Sequence, residues 1–191
     1  MHEWEKRLRE RLKPVEAVLP ELGTKILASV LVPIGARREA AQHEILLTKR
    51  SDRVETHKGQ VSFPGGLFEP CDRHLLQTAL RETYEEVGIH ESRVEILGSL
   101  APVQTLQDVE IYPWVAKVDF PEKFEINPDE VEKTIFLPLE KLLTDGLKPV
   151  QVSLKEEKVS FTVTSLGVMC ENELIWGASA KILEQLWWLL K

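Results

Sequence analysis

Cysteine is scarce in this sequence: Cys71 and Cys170 are the two among 191 residues. They lie far apart and match no metal or redox spacing, so the simplest reading is reduced thiols in a cytosol. Long apolar runs are missing as well. No window approaches the roughly 18 consecutive apolar residues of a membrane span. The first residues, MHEWEKRLRERLKPVE, are charged and lack the apolar centre of a signal peptide. These absences place the protein in the cytoplasm and away from membranes. A basic excess is lacking too: 24 Lys and Arg stand against 31 Asp and Glu, a formal net charge of -7. That argues against nucleic acid as the main partner, because phosphate contacts need a basic surface. An anionic small molecule stays open, since bound cations or a local cluster of Arg and Lys can reverse the field within a site. No repeat, low-complexity tract or long linker is visible.

What is present suits a globular chain with a substantial core, 43% hydrophobic and 29% charged. Residues 1–24 read as an N-terminal helical segment and 25–191 as a single domain. Within the first, residues 3–19 suggest a short helix interrupted near Pro14, with Trp4, Leu8, Leu12 and Val15 at helical spacing. Strands are expected at residues 25–35, 45–50, 61–63, 94–100, 111–118, 134–137 and 159–164. Helices are expected at about 73–87 and 178–190, with Asp72 as N-cap and Gly88 as the left-handed stop of the first. Strands around a central helix indicate a mixed α/β or α+β sandwich.

The stretch LRETYEEVG, residues 80–88, is the informative one. At about 100° per residue, Leu76, Ala79, Leu80, Thr83 and Val87 share one face, expected to be the core side. Glu82 and Glu86, four apart, share the other with Thr78, and Glu85 lies beside them. Each like-charge pair at that spacing costs roughly 0.2–0.5 kcal/mol. The negative end of the helix dipole adds a further penalty. Arg81 can pair with Glu85, but one arginine cannot neutralise three carboxylates. A solvated acidic face would be the ordinary explanation. Hard cations such as Mg²⁺ or Mn²⁺, which prefer carboxylate oxygens, are the alternative.

Upstream lies FPGG, residues 63–66, whose paired glycines allow close approach of backbone to an ion or phosphate. Gly66, Asp72, Arg81, Glu82, Glu85, Glu86, Gly88 and Ile89 together resemble the Nudix box, the glycine-loop-helix signature of enzymes that hydrolyse nucleoside diphosphates linked to another group. The REXXEEXG core reads RETYEEVG. The step from Gly66 to Arg81 is fifteen residues, one more than the usual box. That longer loop, with acids at Glu69 and Asp72, is similar to the coenzyme A pyrophosphatase subgroup. So is LLTKRSDRVETHKGQVSFPGG, at Leu46, Leu47, Thr48, Arg50, Ser51, Gly59 and Phe63 to Gly66. It departs at Glu55, where the subgroup has arginine; Arg53 lies two residues earlier and could replace that charge. Residues 130–142 and 175–183 also look like this subgroup.

The resemblance implies a Nudix fold, with a mixed β-sheet sandwiched between helices, and Mg²⁺ or Mn²⁺ as cofactor. It implies Glu82 and Glu86 as principal metal ligands, joined by Glu85 and the Gly66 carbonyl, with Arg81 orienting a box carboxylate. Glu82, Glu85, Glu86 and Arg81 form the expected catalytic set. Arg50, His57, Gly59, Gly65 and Gly66 are the expected substrate-binding positions, with Lys49 and Lys58 nearby. The general base is open: a box glutamate, or Glu110 or Glu130, each of which also reads as an ordinary surface acid. The implied substrate is coenzyme A or an acyl derivative; ADP-ribose or NADH is the alternative, and a non-catalytic nucleotide-binding module a third reading. Trp187 and Trp188 suggest core packing or a homodimer contact, and Tyr112 and Trp114 packing within a strand. His43, His74 and His90 show no ligand spacing.

Overall fold

A computed structural model describes residues 1–15, 26–53, 58–156 and 159–191; of residues 154–156 and 159–161 the backbone alone is described. The strand expected from Lys25 is β1, Ile26–Gly35, buried from Ala28 to its end. That burial follows from its place in the middle of the main sheet, where a strand needs apolar residues on both faces. Along one edge β1 runs parallel to β7, Val109–Val118. Along the other it pairs antiparallel with β2, Glu44–Arg50, and with the short β4, Gly65–Leu67. Pro33 falls between the β4 and β2 pairings. Leu31 N–H points to Pro64 O, so two residues on, Pro33 faces the same interruption and no ladder donor is lost.

β3, Val61–Ser62, and β8, Val131–Pro138, flank β2, while β5, Val94–Ser99, and β6, Val103–Gln104, pair with β7. A second, three-stranded sheet is made of β9 (Lys148–Glu156), β10 (Val159–Cys170) and β11 (Glu173–Trp176). The alternating KPVQVSLKE carries the period-two signal of β9.

Successive residues of the central strands enter opposite cores. Val30, Val32, Ile45, Leu47, Val115, Ile135 and Leu137 face one cluster. Leu31, Leu46, Trp114, Ala116 and Phe136 face the other. The first is closed by α1 (Glu3–Arg11) and α4 (Gly177–Leu190), through Trp4, Leu8, Ile182, Leu183 and Leu186. The second is closed by α2 (Leu75–Val87), through Leu75, Ala79 and Val87. A short α3, Leu139–Asp145, follows β8. The sandwich of a mixed sheet between helices is therefore present.

Several local expectations shift. Helix α1 ends at Arg11, before the expected Pro14 interruption, because Leu12 is extended and Lys13 bridges Ser99, as suits a residue preceding proline. Val15 is exposed; residues 16–19 of the expected helix lie outside the described residues, as does Lys25. α1 is held down electrostatically: buried Glu5 bonds Arg9 and Lys117, which pull its pKa down to about 2. His43 meets the His2 ring edge-on and the Trp4 ring at a tilt, and its burial lowers its pKa. Trp114 is buried and donates to Ser29 Oγ, whereas Trp187 packs on the core and Trp188 stays exposed.

Candidate active site

Helix α2 begins at Leu75, and its N-cap is His74, whose Nδ1 accepts from Gln77 N–H at 3.1 Å. Asp72 does not cap it, because its carboxylate is engaged elsewhere. Arg81 Nε and Nη2 grip its two oxygens at 3.0 Å each, and the Thr78 hydroxyl and the Glu69 N–H donate to Oδ2 at 2.9 and 3.1 Å. The Asp72 side chain is 1% exposed. Burial alone would raise its pKa; the Arg81 guanidinium and the two other donors outweigh that and hold it below the ordinary range. Arg81 also reaches Glu82 Oε1 at 2.8 Å and Glu85 Oε2 at 3.1 Å. One guanidinium thus meets three carboxylates, two of them on its own helix, and its own pKa is raised chiefly by Asp72.

The buried stripe of α2 differs from the expected one. Leu75, Thr78, Ala79, Thr83, Glu86 and Val87 are buried, whereas Leu76 and Leu80 are partly exposed. Thr78 is inside because it serves Asp72. Glu86 is inside because the chain returns over the end of the helix, with Asn127 N–H donating to Glu86 O at 3.0 Å. Helix α2 stops at Gly88 in the left-handed conformation (φ 73°), as expected.

Glu82, Glu86 and Glu130 each present a carboxylate oxygen within 4.8 Å of the others. Glu130 enters from the turn before β8 and accepts from Asn127 Nδ2 at 3.0 Å. Glu82 lies against β4: a Cβ on Gly66 would stand 2.5–2.6 Å from its two oxygens, so only glycine allows this approach. Burial raises the Glu82 pKa. Glu86 is 2% exposed, and burial pushes its pKa up to about 8 despite the opposing charge of Arg50. Its Oε2 is buried without a hydrogen-bond partner. Three converging carboxylates, one with an orphaned oxygen, are the donor set a hard divalent cation takes. Glu85, expected among the ligands, stands outside the three-acid cluster, 47% exposed and tied to Arg81.

Arg50 ends β2, where the pairing with β8 shifts register, and its Nε is buried without a partner. Gly59, with φ 67°, donates its N–H to Arg50 O. Gly65 and Gly66 pair with Val30 and Ser29 of β1. Lys49 does not face the acids' side; it pairs with Glu132 and Glu173 at 3.2 and 3.1 Å. Arg53 pairs with Asp129 at 2.8 Å, and Lys58 is exposed. Glu55 and His57 lie outside the described residues. Glu110 accepts from the Tyr112 hydroxyl on β7 and is not part of the acid cluster. The sequence offers Glu130 as a candidate base that also reads as a surface acid, and does not place it with Glu82 and Glu86. The turn signal Asn127-Pro128-Asp129 before it marks a fixed loop, but not what the loop faces.

The NUDIX domain family model matches residues 28–157. The uncharacterized Nudix hydrolase NudL of Yersinia pestis (strain Pestoides F) is 37% identical over 159 residues, covering 83% of this chain and 77% of its own length. Among solved structures, a MutT/nudix family protein from Enterococcus faecalis superposes with a TM-score of 0.55 at 19% identity, over 88% of this chain and 63% of its own. The binary complex of a C. elegans Ap4A hydrolase gives 0.51 at 23% identity, over 61% and 83%. The NUDIX domain of Shewanella oneidensis NrtR complexed with ADP ribose gives 0.50 at 22%, over 66% and 82%. These structures share the fold. The chain belongs to the Nudix family and is a Nudix hydrolase.

Proposed function

We propose that this Nudix hydrolase cleaves the diphosphate of coenzyme A or an acyl-coenzyme A, releasing 3',5'-ADP and the (acyl-)4'-phosphopantetheine. The observation that carries hydrolysis is the trio Glu82, Glu86 and Glu130, together with the buried, unpartnered oxygen of Glu86. In this reading these residues hold Mg²⁺ or Mn²⁺, with the Gly66 backbone beside Glu82. When bound, the ions would clamp the diphosphate and lower the pKa of an attacking water. Arg81 orients Glu82 and is itself fixed by Asp72, while Glu85 steadies Arg81 from outside. Arg50, whose charge acts on Glu86, would meet a phosphoryl oxygen in this reading, with Gly59, Gly65 and Gly66 shaping the backbone around the substrate. Glu130, partly exposed where Glu86 is not, orients the attacking water, whose proton passes to solvent as the bond to phosphorus forms. Water adds to one phosphorus, the bridging P–O bond breaks, and the two products leave as separate phosphates.

The coenzyme A assignment is supported by the signature of residues 46–66. Glu55 favours the second reading, a hydrolase of ADP-ribose or NADH, and NrtR's complex with ADP ribose shows that ligand on a related fold. His57 belongs to the same proposed substrate loop. The reading takes 25–191 as one Nudix domain with 1–24 as a helical segment, working in the cytoplasm, where free Cys71 and Cys170 stay reduced. Trp188 is its homodimer contact. No described helix is long and apolar enough to cross a membrane.

A panel of coenzyme A, acetyl-coenzyme A, ADP-ribose and NADH with Mg²⁺ or Mn²⁺ tests the substrate. The highest kcat/KM is expected for a coenzyme A compound. Faster turnover of ADP-ribose would reject that assignment while keeping the hydrolase. No turnover across a broad panel would favour a binding module.

A further inference from the structure

We propose that Asn127 is a positioning residue of the reaction, fixing Glu130 against the end of α2 so that the three carboxylates converge. The inference rests on the hydrolase reading above. All four polar atoms of Asn127 are engaged. Its N–H donates to Glu86 O at 3.0 Å, in the last turn of α2, where carbonyls lack intrahelical donors. Its carbonyl accepts from the N–H groups of Glu130 and Val131 at 3.2 and 2.8 Å. Its Oδ1 accepts from Asp129 N–H at 3.1 Å, and its Nδ2 donates to Glu130 Oε1 at 3.0 Å.

The local sequence explains the first part of this. Asn at the first position of a turn accepts from the backbone two residues on, and proline at the second presets the turn. Asn127-Pro128-Asp129-Glu130 has that pattern, closed by the bond from Glu130 N–H to Asn127 O. A turn needs only the acceptor, Oδ1. The Nδ2 donor adds something the turn does not require: it holds one Glu130 oxygen in place and leaves the other for the site. Three carboxylates within 4.8 Å repel one another, and an N–H on one of them opposes that repulsion. The far side of the turn is pinned by Ser51 N–H on Glu130 O at 2.8 Å and by the Arg53–Asp129 pair. Asn127 therefore couples the backbone of one proposed ligand, Glu86, to the side chain of another, Glu130.

Asn127→Ser keeps a turn acceptor but is too short to reach Glu130; Asn127→Asp keeps the shape and the acceptor but cannot donate. Mn²⁺ affinity without substrate, read by electron paramagnetic resonance, and kcat and KM for coenzyme A are measured for each. Both variants are made in the parent and in a Glu130→Ala background. Affinity or kcat is expected to fall about 10–100-fold in the parent, the usual effect of removing a partner that orients a ligand, with KM changed less. In the Glu130→Ala background the same substitutions are expected to add nothing. An equal loss in both backgrounds, or none in the parent, would overturn the proposal. If Asn127→Ser does not fold, Asn127→Asp decides by the same criterion. A parent protein that neither binds Mn²⁺ nor cleaves any diphosphate overturns the hydrolase reading and this inference with it.

Discussion

Two carboxylates at either end of Glu82 are treated in opposite ways. Asp72 is buried and bonded by Arg81, Thr78 and the Glu69 backbone, so its charge is fully met inside the protein. Glu86 is buried just as deeply, yet one oxygen has no donor and its pKa is pushed up to about 8 by burial. A fold tolerates an unmet buried carboxylate only when something else offsets the desolvation. The difference separates an acid that builds the site from an acid that is kept for a ligand.

Substitutions at the two acids separate these roles most strongly. Glu86→Gln is expected to lower kcat on the order of 10²–10³-fold, the scale of one lost electrostatic contact to the reacting group. It should not destabilise the metal-free protein. The folded pKa of Glu86 lies above its unfolded value, so the unfolded chain releases this proton first. Stability of the metal-free parent should therefore fall as pH rises from about 4.5 to about 8, on the order of 5 kcal/mol. Thermal melts across that window would be flatter in Glu86→Gln; an equally steep fall would refute the assignment of strain to Glu86. Asp72→Ala should do the reverse, costing about 2–3 kcal/mol in urea unfolding by removing the carboxylate that Arg81 Nε and Nη2 grip, with only Glu82 and Glu85 left on Arg81 Nη1. That lies at or below the lower end of the roughly 3–5 kcal/mol for broken buried pairs because Arg81 is partly solvated.

Gly66→Ala sharpens the comparison at the point between them. The added Cβ must displace the Glu82 carboxylate, the far end of a flexible side chain. Mn²⁺ affinity should fall about tenfold by titration calorimetry, while stability changes by less than about 1 kcal/mol. The smallest effect belongs to Glu85→Gln, at an exposed ion pair: kcat within about threefold and stability within about 1 kcal/mol. A hundredfold loss there would move the ion outward, to the Arg81 side of the helix.

The layout of this site was only partly readable from the residues. The left-handed stop at Gly88 follows from local chemistry and falls where expected; of the box acids, Glu82 and Glu86 stand together and Glu85 does not join them. The buried face of α2 did not fall where expected, because sorting residues by polarity put Thr78 and Glu86 outside. Leu75, Ala79, Glu82 and Glu86 in fact follow one line, spaced by four, three and four, which passes from core to site. Asp72 could be read as a cap because a single carboxylate before a helix gives the same signal whether it meets the backbone or a distant arginine. Glu130 was legible only as a candidate base that also reads as a surface acid. Its role depends on the chain returning across the end of α2, a contact between residues 86 and 127 that no local pattern encodes.

The central claim is that a cation sits among Glu82, Glu86 and Glu130. Anomalous diffraction from crystals grown with Mn²⁺ tests it directly. The expected result is a peak bonded by oxygens of those three residues. A protein that yields its Mn²⁺ peak at Glu85, or shows none at saturating Mn²⁺, would contradict it.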